Sequence, residues 1–215
     1  MNCLIIGIAG GTGSGKSSFV NLIPRLYDAT VGSVLVGGIN VKDYDLNTLR
    51  NDVGIVLQKN ILFSGTIASN LRFGNENATL NEMEEACEIA SALEFINEKP
   101  ERFDAIVEQG GTNFSGGQKQ RLSIARTILK KPKILIFDDS TSAVDTKTDA
   151  HIRDGLKNKL KDTTKIIISQ RIISLKECDR IIVMDNGRVV AFDTHENLVN
   201  NCQLYKDIYN IQENT

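Results

Sequence analysis

Leu4-Ile5-Ile6-Gly7-Ile8-Ala9-Gly10-Gly11-Thr12-Gly13-Ser14-Gly15-Lys16-Ser17-Ser18 decides how this chain folds. Residues 4–8 form a short apolar run closing on glycines, the pattern of a strand buried on both faces. Gly10, Gly15, Lys16 and Ser17 then stand at P-loop spacing, and a helix is expected over residues 16–26. Glycines let successive backbone N–H groups wrap phosphate oxygens, and a helix start adds positive potential. On this reading Gly10, Gly11, Thr12, Gly13, Ser14, Gly15, Lys16, Ser17 and Ser18 bind a nucleotide. Lys16 reaches its β- and γ-phosphates and Ser17 ligates Mg²⁺. The plain alternative is a glycine-rich turn that happens to end in Lys-Ser. The strand before it and the helix after it argue for the P-loop.

Working outward, the same alternation recurs. Residues 53–57, 134–137, 165–169 and 181–185 read as strands, with helices over 118–130 and 146–160. Gly37-Gly38 and Asn186-Gly187 are two-residue hairpin turns, the second leading into a strand over 188–192. Helices over 195–200 and 203–212 close the sequence. Thr79-Leu80-Asn81-Glu82 fits a capping box, with Met83, Ala86, Cys87 and Ala90 following at helical spacing. Alternating strand–helix units imply an α/β fold, a P-loop NTPase (RecA-like) core with a mostly parallel sheet. The expected organisation is a core over 1–68 and 129–215, interrupted by an inserted all-helical subdomain over 69–128.

Composition bounds the function. The 215 residues suit one large domain or one domain with an insertion, and 41% apolar with 24% charged residues is ordinary for a globular protein. A net charge of −2 gives no electrostatic case for nucleic acid or an anionic membrane. No apolar run approaches the ~18–20 residues of a membrane span, and the N-terminus lacks the pattern of a signal peptide, so no direct membrane insertion is expected. Cys3, Cys87, Cys178 and Cys202 show no paired spacing and read as reduced, mostly buried thiols. His151 and His195 read as structural or solvated, and no His/Cys cluster points to zinc.

Two further stretches carry chemistry. Residues 134–137 run into Asp138-Asp139, and a carboxylate at the end of a buried parallel strand faces the P-loop crevice, where Asp138 can hold Mg²⁺ through water. Phe114-Ser115-Gly116-Gly117-Gln118 precedes the helix over 118–130. Ser115 there is either an ordinary N-cap or part of a second phosphate cradle. One chain does not need two cradles unless one serves another subunit's nucleotide.

With this motif order the chain resembles the nucleotide-binding domain of ABC transporters, from the P-loop to the C-terminus. Residues 114–118 look like the LSGGQ signature with Phe in place of Leu. Gln58 matches the Q-loop glutamine, and Ser142-Ala143-Val144-Asp145 the D-loop. Leu57-Gln58, Phe63-Ser64-Gly65-Thr66-Ile67 and Asn70-Leu71 look like the exporter branch. The resemblance implies ATP and Mg²⁺ as cofactors and Ser17, Gln58 and Asp138 around the metal. It also implies Ser115, Gly116, Gly117, Gln118 and Asp145 at the nucleotide of a paired domain. It implies two partners, a second nucleotide-binding domain and an exporter's transmembrane domain, and a place at the cytoplasmic face of the cell membrane.

The departures from the family pattern matter equally. The family's catalytic base is a Glu directly after the acidic strand's Asp; here that position is Asp139, one methylene shorter. The family's switch His is replaced in Ile168-Ser169-Gln170-Arg171 by Gln170, which donates hydrogen bonds without carrying charge. A misplacement of about 1 Å can cost ~100-fold in rate. Asp139, Gln170 and Gln58 are therefore the candidate catalytic set of a weakly hydrolytic site, resembling the degenerate half of a heterodimeric exporter. The family's strands before the P-loop, with an adenine-stacking aromatic, have no counterpart before Gly10, which reads as an N-terminal truncation; Tyr27 and Tyr44 do not match that aromatic. A non-catalytic ATP-binding fragment or regulatory module stays open as an alternative. A chromosome-maintenance ATPase is disfavoured for want of long coiled coils, and a GTPase for want of an Asn-Lys-x-Asp motif.

Overall fold

A computed structural model describes residues 4–139 and 143–213. In chain order the first elements are β1 (Ile5–Ala9), α1 (Lys16–Val20), β2 (Leu35–Val36), β3 (Ile39–Asn40), α2 (Leu46–Asp52) and β4 (Val53–Val56). A largely helical stretch follows, with β5 (Gly65–Thr66), α3 (Ile67–Arg72), α4 (Leu80–Ile89), α5 (Leu93–Asn97), β6 (Ile106–Val107) and α6 (Gly116–Leu129). The alternation then returns as β7 (Ile134–Asp138), α7 (Thr146–Lys159), β8 (Thr164–Ile168), β9 (Arg180–Asp185), β10 (Arg188–Asp193), α8 (His195–Asn201) and α9 (Gln203–Glu213).

Six strands form one sheet in the order β10-β9-β1-β8-β7-β4, parallel except for β10. This is the α/β, mostly parallel architecture that the strand–helix alternation implies. Its register positions the site: Ile168 pairs with Ile8 on one side and Asp138 on the other, so the chain leaving β1 and the acid ending β7 flank the end of β8.

Pleating sorts the side chains of β7 to two faces. Ile136 is buried with Ile8, Val20 and Leu49 beneath α1 and α2. Leu135 and Phe137 point the other way, into the core shared with α3, α4, α6 and α7. A third cluster, with Ala9, Val183, Leu198 and Tyr205, seats α8 and α9 against β1 and β9.

Most elements lie where the residue patterns put them, and the differences have local causes. The helix expected over 16–26 is regular only through Val20, and the chain continues as single turns in which Leu22, Ile23 and Arg25 donate to carbonyls three residues back. Pro24 has no N–H to extend a helix and disfavours α geometry before it, and Arg25 adopts a φ of 53°. The 69–128 stretch is helical apart from β6, which pairs antiparallel with β5. Two residues are too few to show alternation. Helix α2 is capped by Asp45, whose Oδ1 accepts from the Thr48 N–H; it is too short to announce itself by periodicity.

Asn70, 1% exposed, holds the turn before the helices together. Its Oδ1 accepts from the Phe63 N–H at 2.8 Å, and its Nδ2 donates to the carbonyls of Phe63 at 2.8 Å and Thr66 at 3.0 Å. Removing that amide strands the Phe63 N–H and carbonyl, whereas the Thr66 carbonyl keeps the Ser69 hydroxyl at 2.9 Å. Asn70→Ala is expected to lower stability in urea denaturation by about 2–4 kcal/mol. The exposed control Asn77→Ala is expected to stay within about 0.5 kcal/mol.

Candidate nucleotide site

The loop between β1 and α1 is shaped by its glycines. Gly10 has a φ of 152°, and a Cβ there would lie 2.3 Å from the Met184 carbonyl oxygen of β9, so any side chain would push the loop off the sheet. At Gly11 and Gly13 a Cβ would meet nothing within 4 Å, so their backbone faces open space. The loop is also braced from the β9–β10 turn, where Gly187 N–H donates to the Ser14 carbonyl at 3.1 Å. Nothing in the local sequence signals that brace, because its two ends are far apart along the chain.

Lys16 is 8% exposed and its ammonium lies inside the loop. Nζ donates to the carbonyls of Gly10 and Gly11, each at 2.7 Å, and to Ser14 Oγ at 3.2 Å. Burial pulls its pKa down, against the charges of Asp139 and Asp138, which push it up. Ser17 Oγ donates to Asp138 Oδ1 at 2.9 Å, and Gln170 Nε2 donates to Asp139 Oδ2 at 2.9 Å. Asp139 has a φ of 48°, an outlier for a non-glycine residue, and its N–H donates to the Ile168 carbonyl at 3.1 Å. Strain of this kind concentrates at functional sites.

These groups surround one crevice of about 400 Å³, lined by residues 12–18 with Gln58, Asp138, Asp139 and Gln170. The candidate catalytic and metal residues are thus brought together at the carboxyl ends of β1, β4, β7 and β8, where open parallel sheets take ligands. The donor set fits Mg²⁺. Ser17 Oγ and Asp138 Oδ1 are adjacent hard oxygens, and a magnesium ion held mainly by phosphates needs only one or two protein ligands. Among the described residues no group of three or more His, Cys, Asp or Glu side chains could hold a metal. The cradle itself fits an anion through the exposed N–H groups of its loop. With α1 regular over five residues, the helix dipole contributes less than a long helix would.

Ser115, Gly116, Gly117, Gln118 and Asp145 lie outside this crevice. Ser115 caps α6 in a capping box: its Oγ accepts from the Gln118 N–H at 3.2 Å, and Gln118 Oε1 accepts from the Ser115 N–H at 3.0 Å. Ser115 therefore serves as the N-cap of α6, and its exposed O–H has no acceptor among the described residues. A Cβ on Gly117 would come 3.1 Å from the Ala143 carbonyl, so the start of α6 lies close against the segment leading into α7. Asp145 caps α7 through the Thr148 N–H at 3.0 Å, which holds its carboxyl below the usual range. Ser142 lies outside the described residues. Phe114, in place of the signature's Leu, is 5% exposed and packs edge-on against Phe95 with ring centroids 6.3 Å apart.

Other side chains keep to structure. Tyr27 is exposed, and Tyr44 donates its O–H to the Val36 carbonyl at 2.9 Å. His195 Nδ1 lies 2.9 Å from the Tyr205 hydroxyl, with burial lowering its pKa, and His151 is exposed on α7. Cys87 and Cys178 are free and buried, their thiols pushed up to about 12 by burial. Cys3 lies outside the described residues. No helix among the described residues is long and apolar enough to cross a membrane.

Comparison with known proteins places this geometry in a family. The model of the ABC transporter family matches residues 4–142. MG014 of Mycoplasma genitalium, provisionally named an ABC transporter ATP-binding protein, is 48% identical over 96% of this chain and 35% of its own length. YgaD of Bacillus subtilis, provisionally named a multidrug export ATP-binding/permease protein, is 42% identical over 96% of this chain and 36% of its own. The chain superposes with a TM-score of 0.95 and 34% identity on a bacterial Atm1-family ABC exporter with ATP bound, covering 98% of this chain and 37% of that one. It thus spans about a third of the length of these relatives. The matched family model, the relatives' identity and the shared fold agree, and the chain belongs to the ABC transporter family as an ATP-binding domain of the exporter kind.

Proposed function

We propose that this domain binds ATP–Mg²⁺ and drives export through a transmembrane partner, and that its own hydrolytic site is weak. The observation that carries the reading is the convergence of residues 12–18, Gln58, Asp138, Asp139 and Gln170 on one crevice. In it residues 10–15 wrap the phosphates, with Gly10 and Gly15 setting the turn and Gly11, Thr12, Gly13 and Ser14 offering backbone donors. Lys16 exchanges its loop carbonyls for β/γ-phosphate oxygens, a charge-assisted contact stronger than the ones it leaves. Ser17, Asp138 and Gln58 hold the metal, which neutralises phosphate charge when bound, and Ser18 adds a hydroxyl at the start of α1.

The weak-site reading rests on Asp139 and Gln170. Asp139 falls short of the reach of a Glu, and its partner Gln170 is a neutral amide that cannot accept charge from it. Ser115, Gly116, Gly117, Gln118 and Asp145 instead serve the ATP of a second nucleotide-binding domain, with the Ser115 hydroxyl donated across the interface. An intact signature beside a poor site makes sense in a heterodimer, where the partner supplies Glu and His. Residues 69–128 act as the signature-bearing subdomain. Exposed Leu57, Ile61, Phe63 and Phe73 border a groove next to Gln58, with the two Phe rings 4.8 Å apart, and this is the surface assigned to the permease portion that the relatives' names describe. That docking puts the domain at the cytoplasmic face of the membrane. A second reading, a module that holds ATP without turning it over, is favoured by the same Asp139–Gln170 pair.

Lys16→Ala is expected to weaken ATP–Mg²⁺ binding at least tenfold in calorimetry without unfolding the domain, about 1.4 kcal/mol or more; unchanged affinity contradicts the phosphate assignment. In a complex with its partner, Ser115→Ala/Gly117→Asp is expected to cut steady-state ATPase by more than tenfold, about 1.4 kcal/mol of barrier. Asp139→Ala should cost much less. The reverse ranking makes this chain's own site the working one, and no turnover at all in the assembled complex selects the second reading.

A further inference from the structure

The segment that carries Gln170 is held from the far end of the domain. Gln212, in the last turn of α9, closes a two-sided amide clamp on the backbone there: its Nε2 donates to the Gln170 carbonyl at 2.6 Å and its Oε1 accepts from the Ile172 N–H at 2.7 Å. The clamp spans 42 and 40 residues of sequence. One side chain thus fixes both peptide groups that flank Arg171, and Gln170 in turn reaches Asp139 Oδ2 from a backbone whose position is set by Gln212.

The helix behind the clamp is seated firmly enough to act as its base. Tyr205 is fully buried and Leu204, Ile208 and Tyr209 pack with Ile172 and Leu175 in the same cluster. Lys176, just past the clamped segment, donates to Tyr209 at 3.2 Å and Glu213 at 2.7 Å. On the other side Ser169, 6% exposed, accepts the Arg171 N–H at 3.0 Å through its Oγ. The short segment from Ser169 to Ile172 therefore has each of these backbone groups satisfied by a side chain, and the ones supplied by α9 come from Gln212 alone among the described residues.

We propose that Gln212 is a positioning residue for the nucleotide site, fixing the backbone of residues 170–172 so that the Gln170 amide stays aimed at Asp139 and at the γ-phosphate position. The proposal deepens the reading of Gln170 given above and rests on it. Gln212 touches no nucleotide. It acts by removing the freedom of a loop whose side chain must meet a single phosphate, and small misplacements of such groups are costly. It also ties α9 to the crevice, so the last helix of the domain bears on whether the γ-phosphate is sensed.

The test compares ATP with ADP, because only ATP presents a γ-phosphate. With the full chain, equilibrium binding of ATP–Mg²⁺ and ADP–Mg²⁺ is measured for the parent, Gln170→Ala, Gln212→Ala and Gln212→Glu. Amide exchange at Ile172 is followed without nucleotide. Gln212→Ala is expected to weaken ATP by roughly three- to tenfold while ADP binding holds, and to speed exchange at Ile172. Gln212→Glu keeps the acceptor for the Ile172 N–H and loses the donor to Gln170. It should therefore preserve Ile172 protection while still lowering the ATP-to-ADP preference. In Gln170→Ala/Gln212→Ala the two effects should overlap rather than add. A parallel fall of ATP and ADP affinity in Gln212→Ala makes Gln212 a packing residue and overturns the proposal. If Gln170→Ala changes the ATP-to-ADP preference and Gln212→Ala does not, the clamp alone is refuted. If Gln170→Ala leaves that preference unchanged, the γ-phosphate reading of Gln170 fails and takes the clamp's role with it.

Discussion

The hydrogen bond from Ser17 Oγ to Asp138 Oδ1, 2.9 Å across 121 residues of sequence, is the contact on which the site depends. It joins the first turn of α1, which follows β1 and its loop, to the end of β7, two strands away from β1 in the sheet. Parallel pairing through β8 makes the contact possible: with Ile168 opposite both Ile8 and Asp138, the ends of the three strands are level and their side chains share one rim. The pair matters chemically because a hydroxyl and a carboxylate at that distance present two hard oxygens to one small cation. Shift β7 by one residue and Asp138 would point to the opposite face, leaving Ser17 without its partner.

Around that contact the loop is held in a poised arrangement. The Lys16 ammonium is satisfied by the loop's own carbonyls, so an otherwise buried charge has acceptors before any phosphate arrives. Gly10 lies against β9 with no room for a side chain, and the β9–β10 turn donates to Ser14. The loop is thus supported by the sheet beneath it and the hairpin beside it, while Gly11 and Gly13 leave its outer face open. Asp139 and Gln170 close the opposite side of the crevice by bonding each other, from a backbone that is strained at Asp139 and clamped beyond Gln170.

Much of this was legible along the chain because its signals are local. The P-loop needs six consecutive turn residues between a strand and a helix start, the capping box at Thr79 needs only a three-residue offset, and Ser115 reads as an N-cap from its place before a helix. The acidic end of β7 follows an uninterrupted apolar run. What stayed hidden is non-local or very short. The Gly187–Ser14 brace and the Gln212 clamp each join distant segments through a single residue, which leaves no periodic trace. Strands β5 and β6 are two residues each, and the early end of α1 depends on how Pro24 and the left-handed Arg25 compete with an otherwise helical stretch. The weak-site reading came from two residue identities, and the structure adds the direct bond between them.

The central claim is that this domain retains ATP while a partner's site turns over. Its most direct test is to identify the nucleotide on each chain of the assembled transporter after steady turnover. A photoreactive ATP labelled at its α-phosphate, crosslinked during hydrolysis, allows the two nucleotide-binding domains to be separated and their bound nucleotides read. The account predicts ATP on this chain and ADP on its partner. ADP on this chain at the partner's level would contradict it.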